Sequence, residues 1–131
     1  MGKMEKRYWV GIVNPFDLNS GTYEIKKSDK SHVIDSVFEN IKTLNDIREN
    51  LSLLKSKIRS PTSCYFNIDE KSGIFYHDQQ GCVLWLLKKD GKVYTDENLL
   101  VADSLPEFLS HIFSESREFY QMTSIYTGVD Y

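Results

Sequence analysis

Residues 81–97 read GCVLWLLKKDGKVYTDE, and the fold turns on how they are interpreted. The run CVLWLL is β-branched, aliphatic and aromatic, and it is too short for an independent helix. It is followed by Asp90-Gly91, a dipeptide that closes tight hairpins because its residues tolerate the backbone angles such turns need. A strand, a turn and a returning strand, KVYTD, are predicted. Both alternating sets of the first strand, Cys82/Leu84/Leu86 and Val83/Trp85/Leu87, are apolar, which predicts a central strand buried on both faces.

Upstream, SCYFNID, EKSG and IFYHD read as another strand, turn and strand, giving four strands in meander order. Downstream, Ser104-Leu105-Pro106-Glu107 has the spacing of a capping box with Pro in the first helical turn. Phe108, Leu109, Ile112, Phe113, Phe119 and Tyr120 then carry an apolar stripe to about residue 121. The tail 122–131 lacks periodicity and is expected to be loose or to add an edge strand.

From Val33 to Ile58, apolar residues recur every three or four positions, which predicts one long amphipathic helix. Ser28 or Ser31 would cap it, Ser60-Pro61 would end it, and a kink is expected near Asn45-Asp46. The sharper reading of the stripe, a leucine-zipper dimer, needs more heptads than the run offers. Before this helix, YWVGIV at 8–13 and TYEIK at 22–26 read as strands around the loop NPFDLNSG. The order ββαββββα defines the expected fold: a single α+β domain over 1–131. It would have an antiparallel meander of four to six strands with two main helices packed on it.

The 131 residues carry a formal net charge of −3, with 40% hydrophobic and 27% charged residues. That composition fits a folded globular chain and lacks the basic footprint of a nucleic-acid binder. No stretch approaches the ~18 apolar residues of a membrane span, and MGKMEKRYW has no apolar run of signal-peptide type. A cytoplasmic or nuclear protein is expected, the cytoplasm first. Gly2 does not read as a myristoylation site, because Lys6 stands where Ser or Thr is required. The sequon Asn50-Leu51-Ser52 falls within the helical pattern.

Two cysteines, Cys64 and Cys82, are too few for a disulfide framework. His32, His77 and His111 are scattered, with neither a C-x-x-C pair nor a histidine pair at helical spacing, so no metal is expected. No glycine-rich phosphate loop occurs and no cofactor is expected.

A catalytic cysteine needs a helix N-terminus, a cation or a histidine to stabilise its thiolate. Cys82 enters a strand instead, and the hydrolase alternative, Cys82 with His111, rests on chain order alone. Tyr65, Phe66, Phe75, Tyr76, Trp85 and Tyr94 lie on neighbouring strands and are expected mostly in the core. Any left exposed would be an interface anchor.

With these motifs in place, residues 62–118 resemble the SUKH superfamily. That group includes a yeast cell-wall-synthesis regulator, bacterial immunity proteins that neutralise toxins, and relatives in large DNA viruses. The resemblance rests on GCVLWLLKKDGKVYTDE followed by VADSLPEFLSHIF, and implies structural signature positions at Trp85, Gly91, Val93, Ala102, Ser104, Phe108 and Leu109. It implies a non-enzymatic protein-binding module, an adaptor or an antagonist of immunity type.

The turn acids Asp69, Glu70, Asp96 and Glu97 are expected to form one acidic surface, which with the negative net charge would suit a basic protein partner. Neither nucleic acid nor membrane is an expected partner, and the chain would be a monomer or weak homodimer. A homo-oligomeric scaffold of profilin-like or longin-like architecture is the remaining alternative.

Overall fold

A computed structural model of the chain describes residues 7–12, 23–28, 33–59, 64–78 and 83–127. In chain order these form β1 (Arg7–Ile12), β2 (Tyr23–Ser28), a 3₁₀ turn (Ser36–Phe38), α1 (Leu44–Glu49) and α2 (Leu51–Lys57). There follow β3 (Tyr65–Asp69), β4 (Ile74–His77), β5 (Leu84–Leu87), β6 (Val93–Thr95), β7 (Leu100–Ala102) and α3 (Leu105–Thr127). The strands β3 to β7 make a five-stranded antiparallel meander, and β1 pairs with β2 in a separate hairpin that runs beside β7 and α3. The α+β class and the central place of the 84–87 strand are as the sequence predicts.

Register decides which side chains face the helices. Phe66, Tyr76, Trp85 and Thr95 are successive partners across four strands and all are buried. Between Ile74 and Tyr76 the register slips by one residue against β5, a bulge that turns consecutive side chains toward the same side. Phe75 and Tyr76 thus both reach Phe108 of α3, at ring-centroid separations of 5.5 and 5.8 Å with edge-on geometry. Trp85 completes the cluster at 6.2 Å from Phe108. Phe38, Ile47, Leu54, Leu105 and Leu109 close the core from the helical side, each contributing about 1.5–3 kcal/mol by leaving water.

The opposite sheet face carries Tyr65, His77 and Leu84 in one row and Ile74, Leu86 and Tyr94 in another. Tyr65 stacks on His77 at 5.0 Å and is exposed, while Leu84 and Leu86 are only half-buried. Within the central strand only Trp85 is fully buried, while Leu84, Leu86 and Leu87 are partly buried, and all the described helices contribute to the core that contains Trp85.

The predicted helix over 33–58 is three pieces. Residues 33–35 are non-helical, and Thr43 begins α1 with a reciprocal cap. Its Oγ1 accepts from the Asp46 N–H at 3.1 Å, and the Asp46 carboxylate accepts from the Thr43 N–H at 3.0 Å. The break falls at Asn50 (φ −117°, ψ 20°), whose side-chain amide donates to the Asp46 carbonyl at 2.8 Å. Local side-chain bonds to the backbone thus override the apolar period. Ser28, one of the two expected caps, is the last residue of β2 and starts no helix; the other cap, Ser31, and the end at Ser60-Pro61 lie outside the described residues, as does the loop 14–21.

Two further differences concern the second half. β7 was not read as a strand, being a three-residue element inside a segment that continues directly into the helix. The helix α3 extends to Thr127, so most of the tail expected to be loose or to add an edge strand is helical. At the hairpin, Lys88 and Lys92 pair across a three-residue loop, and Gly91 takes φ +83°, the left-handed position that glycine fills without strain. No helix among the described residues is long and apolar enough to cross a membrane.

Candidate protein-docking site

Asp35 organises the surface that the broken helix leaves open. Its backbone is extended (φ −74°, ψ 135°), its carboxylate accepts from the Val37 N–H at 3.1 Å, and its carbonyl accepts from the Phe38 N–H at 3.0 Å. This is an N-cap on a 3₁₀ turn. The Asp35 N–H donates to Ser110 Oγ on α3 at 2.8 Å, and the buried Ser110 hydroxyl donates to the Pro106 carbonyl at 2.8 Å. Phe38 then enters the core, edge-on to Phe113 at 5.5 Å.

Because Asp35 and Phe38 fix the segment, the apolar residues between and before them face outward. Val33 is 85% exposed, Ile34 46% and Val37 36%. A single exposed aliphatic residue is ordinary, but three within five positions on a fastened backbone form a patch. Ile34 also walls a cleft of about 500 Å³ between the 3₁₀ turn, the β5–β6 hairpin and the start of α3, with Gly91, Leu105 and Pro106 among its other walls. The charged groups lining it are Glu39, Asp90 and Asp103 against Lys42.

Asp90 accepts from the Tyr94 hydroxyl at 2.7 Å and from the Lys92 N–H at 2.9 Å. These bonds, the tyrosine's first, hold its carboxyl below the usual range, so it is anionic throughout physiological pH. Asp90 also lines a second groove, of about 600 Å³, on the other side of the hairpin, where Leu44 and Leu86 meet Lys71, Lys88 and Lys89. Lys88 lies over the Tyr94 ring at 4.2 Å and bonds Asn98 Oδ1.

The four acids expected to form one surface are divided by the topology. In an antiparallel meander, alternate turns fall at opposite ends of the sheet. The β3–β4 turn places Asp69 and Glu70 beside the β5–β6 hairpin, while the β6–β7 turn places Asp96 and Glu97 at the other end. Asp69 braces its own turn through the Lys71 N–H and the Ser72 hydroxyl, and Glu70 pairs with Arg48 at 2.7 Å. Asp96 accepts from the Leu84 N–H at 3.2 Å, which leaves Glu97 exposed in that turn.

The other singled-out positions have plain structural roles. Trp85, Val93, Ala102, Phe108 and Leu109 are fully buried. Ser104 Oγ accepts from the Glu107 N–H at 3.2 Å, and Glu107 reaches back to the Asp103 N–H at 3.1 Å, one residue earlier than the predicted box. His111 is buried on α3 with Nε2 3.1 Å from Glu115 Oε1. Cys82, the other member of the expected Cys82–His111 pair, lies outside the described residues. Among the described residues no group of three or more His, Cys, Asp or Glu could hold a metal ion.

Val33, Ile34 and Val37 are the surface residues that periodicity assigned to the buried stripe. The signal for them was Asp35, a capping residue set inside that stripe. Comparison of the chain with protein-family models, with curated proteins and with solved structures found no match.

Proposed function

We propose that the chain is a non-enzymatic protein-binding module working in the cytoplasm, an adaptor or an antagonist of immunity type, as its resemblance to the SUKH superfamily over 62–118 implies. One observation carries this reading. The aliphatic patch at Val33, Ile34 and Val37 is held to α3 through the Asp35–Ser110 bond, and a fixed apolar surface beside a cleft favours docking because little ordering entropy is lost on binding. The module acts as a monomer or weak homodimer toward its partner.

Affinity capture with the intact chain from its native cells, at low and physiological salt, tests the proposal. A single partner retained in stoichiometric amount is the expected result. Retention of nothing at either salt concentration would remove the binding-module reading.

A further inference from the structure

The cleft beside Ile34 combines two properties that together select a ligand class. Its apolar side is Ile34 with Leu105 and Pro106, and Ile34 is one of the three exposed aliphatic residues with Val33 and Val37. Its charged lining is the carboxylates of Glu39, Asp90 and Asp103 with the ammonium of Lys42, and Lys92 and Lys88 also act on Asp90 from the hairpin. Resting on the protein-binding reading above, we propose that this cleft takes a peptide segment of the partner that carries aliphatic side chains next to arginine or lysine.

Charge complementarity decides between the possible occupants. An acidic peptide or a phosphate group would meet three carboxylates. The α3 N-terminus, which could otherwise attract an anion, is already served by the Ser104 hydroxyl and the Glu107 carboxylate. A second copy of the chain, docked by a two-fold axis through the patch, would bring each carboxylate cluster onto its own image. A basic segment complements the net negative lining, and its aliphatic residues cover Ile34 and Val37. A cleft of about 500 Å³ falls within the ~300–1,000 Å³ typical of ligand pockets, room for a few side chains of an extended segment.

The isotope-labelled full chain is titrated with three peptides of equal length, alternating leucine with arginine, with glutamate or with serine, and the amide resonances are followed. The expected result is binding of the arginine peptide alone. It should shift the amides of Ile34, Gly91 and Leu105, weaken steeply with added salt, and lose at least tenfold in affinity in Ile34→Asp and in Glu39→Lys. The idea is overturned if the shifts map elsewhere, if the glutamate or serine peptide binds this cleft equally well, or if none of the three binds.

Capture of the natural partner separates the two levels of the reading. A partner retained equally by wild type and by both variants refutes the cleft and leaves the binding module standing. Failure of the wild type to retain any partner refutes the module itself.

Discussion

The backbone N–H of Asp35 donates to Ser110 Oγ at 2.8 Å, joining positions 75 residues apart. That bond fastens the start of the 3₁₀ turn to the first turns of α3. Ser110→Ala removes the acceptor and should cost about 1–2 kcal/mol, the usual range for losing a partly buried hydrogen bond. Hydrogen exchange should quicken at residues 35–38 while the β5 amides stay protected. Equal quickening in both regions would mean that Ser110 acts on the whole fold and not on the local fastening.

Gly73 and Gly91 share φ +83° but differ in their surroundings. A Cβ on Gly73 would stand 2.5 Å from the Leu87 carbonyl oxygen, whereas one on Gly91 meets nothing within 4 Å. The Leu87 N–H also donates to the Gly73 carbonyl at 2.9 Å, so the turn cannot retreat without losing that bond. Gly91→Ala should cost about 1 kcal/mol for the backbone angle alone. Gly73→Ala should cost at least ~2–3 kcal/mol more through the clash. The midpoints of two urea titrations settle the order, and equal midpoints would deny the close approach.

How far each element could be read from sequence follows the range of its interactions. The hairpin at Asp90-Gly91 and the cap at Ser104 depend on residues within four positions, and both were legible. The break at Asn50 is equally local but hidden, because an apolar stripe at helical spacing continues across it. The partial burial of β5 around Trp85 could not be read, since Leu84, Leu86 and Leu87 are as apolar as a core strand requires yet none is fully buried. The grouping of the turn acids was hidden because it depends on strand order: turn chemistry identified Asp69, Glu70, Asp96 and Glu97, and the meander sets the two pairs at opposite ends of the sheet. The docking patch required both kinds of information, the cap at Asp35 and the distant anchor at Ser110.

Acid should weaken the fold in a defined direction. Asp46 is held below its ordinary pKa by the Lys42 N–H first and then by the Thr43 hydroxyl, and Asp90 by the Tyr94 hydroxyl first. A carboxyl whose folded pKa lies below the unfolded value stabilises the fold above the unfolded pKa. That contribution is lost as pH falls through the folded one. Stability should thus be flat from neutrality to about pH 5 with respect to these groups and should decline below about pH 4. Asp46→Asn with Asp90→Asn should flatten the decline, read from denaturation midpoints across that range. A decline of the same steepness in the double variant would assign it to other groups.

The core and the patch should separate cleanly on substitution. Phe108 lies against Phe75, Tyr76 and Trp85 with no exposed surface, so Phe108→Ala leaves a cavity under the centre of the sheet. It should cost about 3–5 kcal/mol, enough to remove much of the stability of a domain this size. Val33→Ser, at a residue 85% exposed, should change stability by less than about 0.5 kcal/mol yet reduce the amount of captured partner. Unfolding midpoints and capture yields measured on both variants give the contrast. If Val33→Ser keeps full capture at unchanged stability, the exposed aliphatic patch is surface without a docking role.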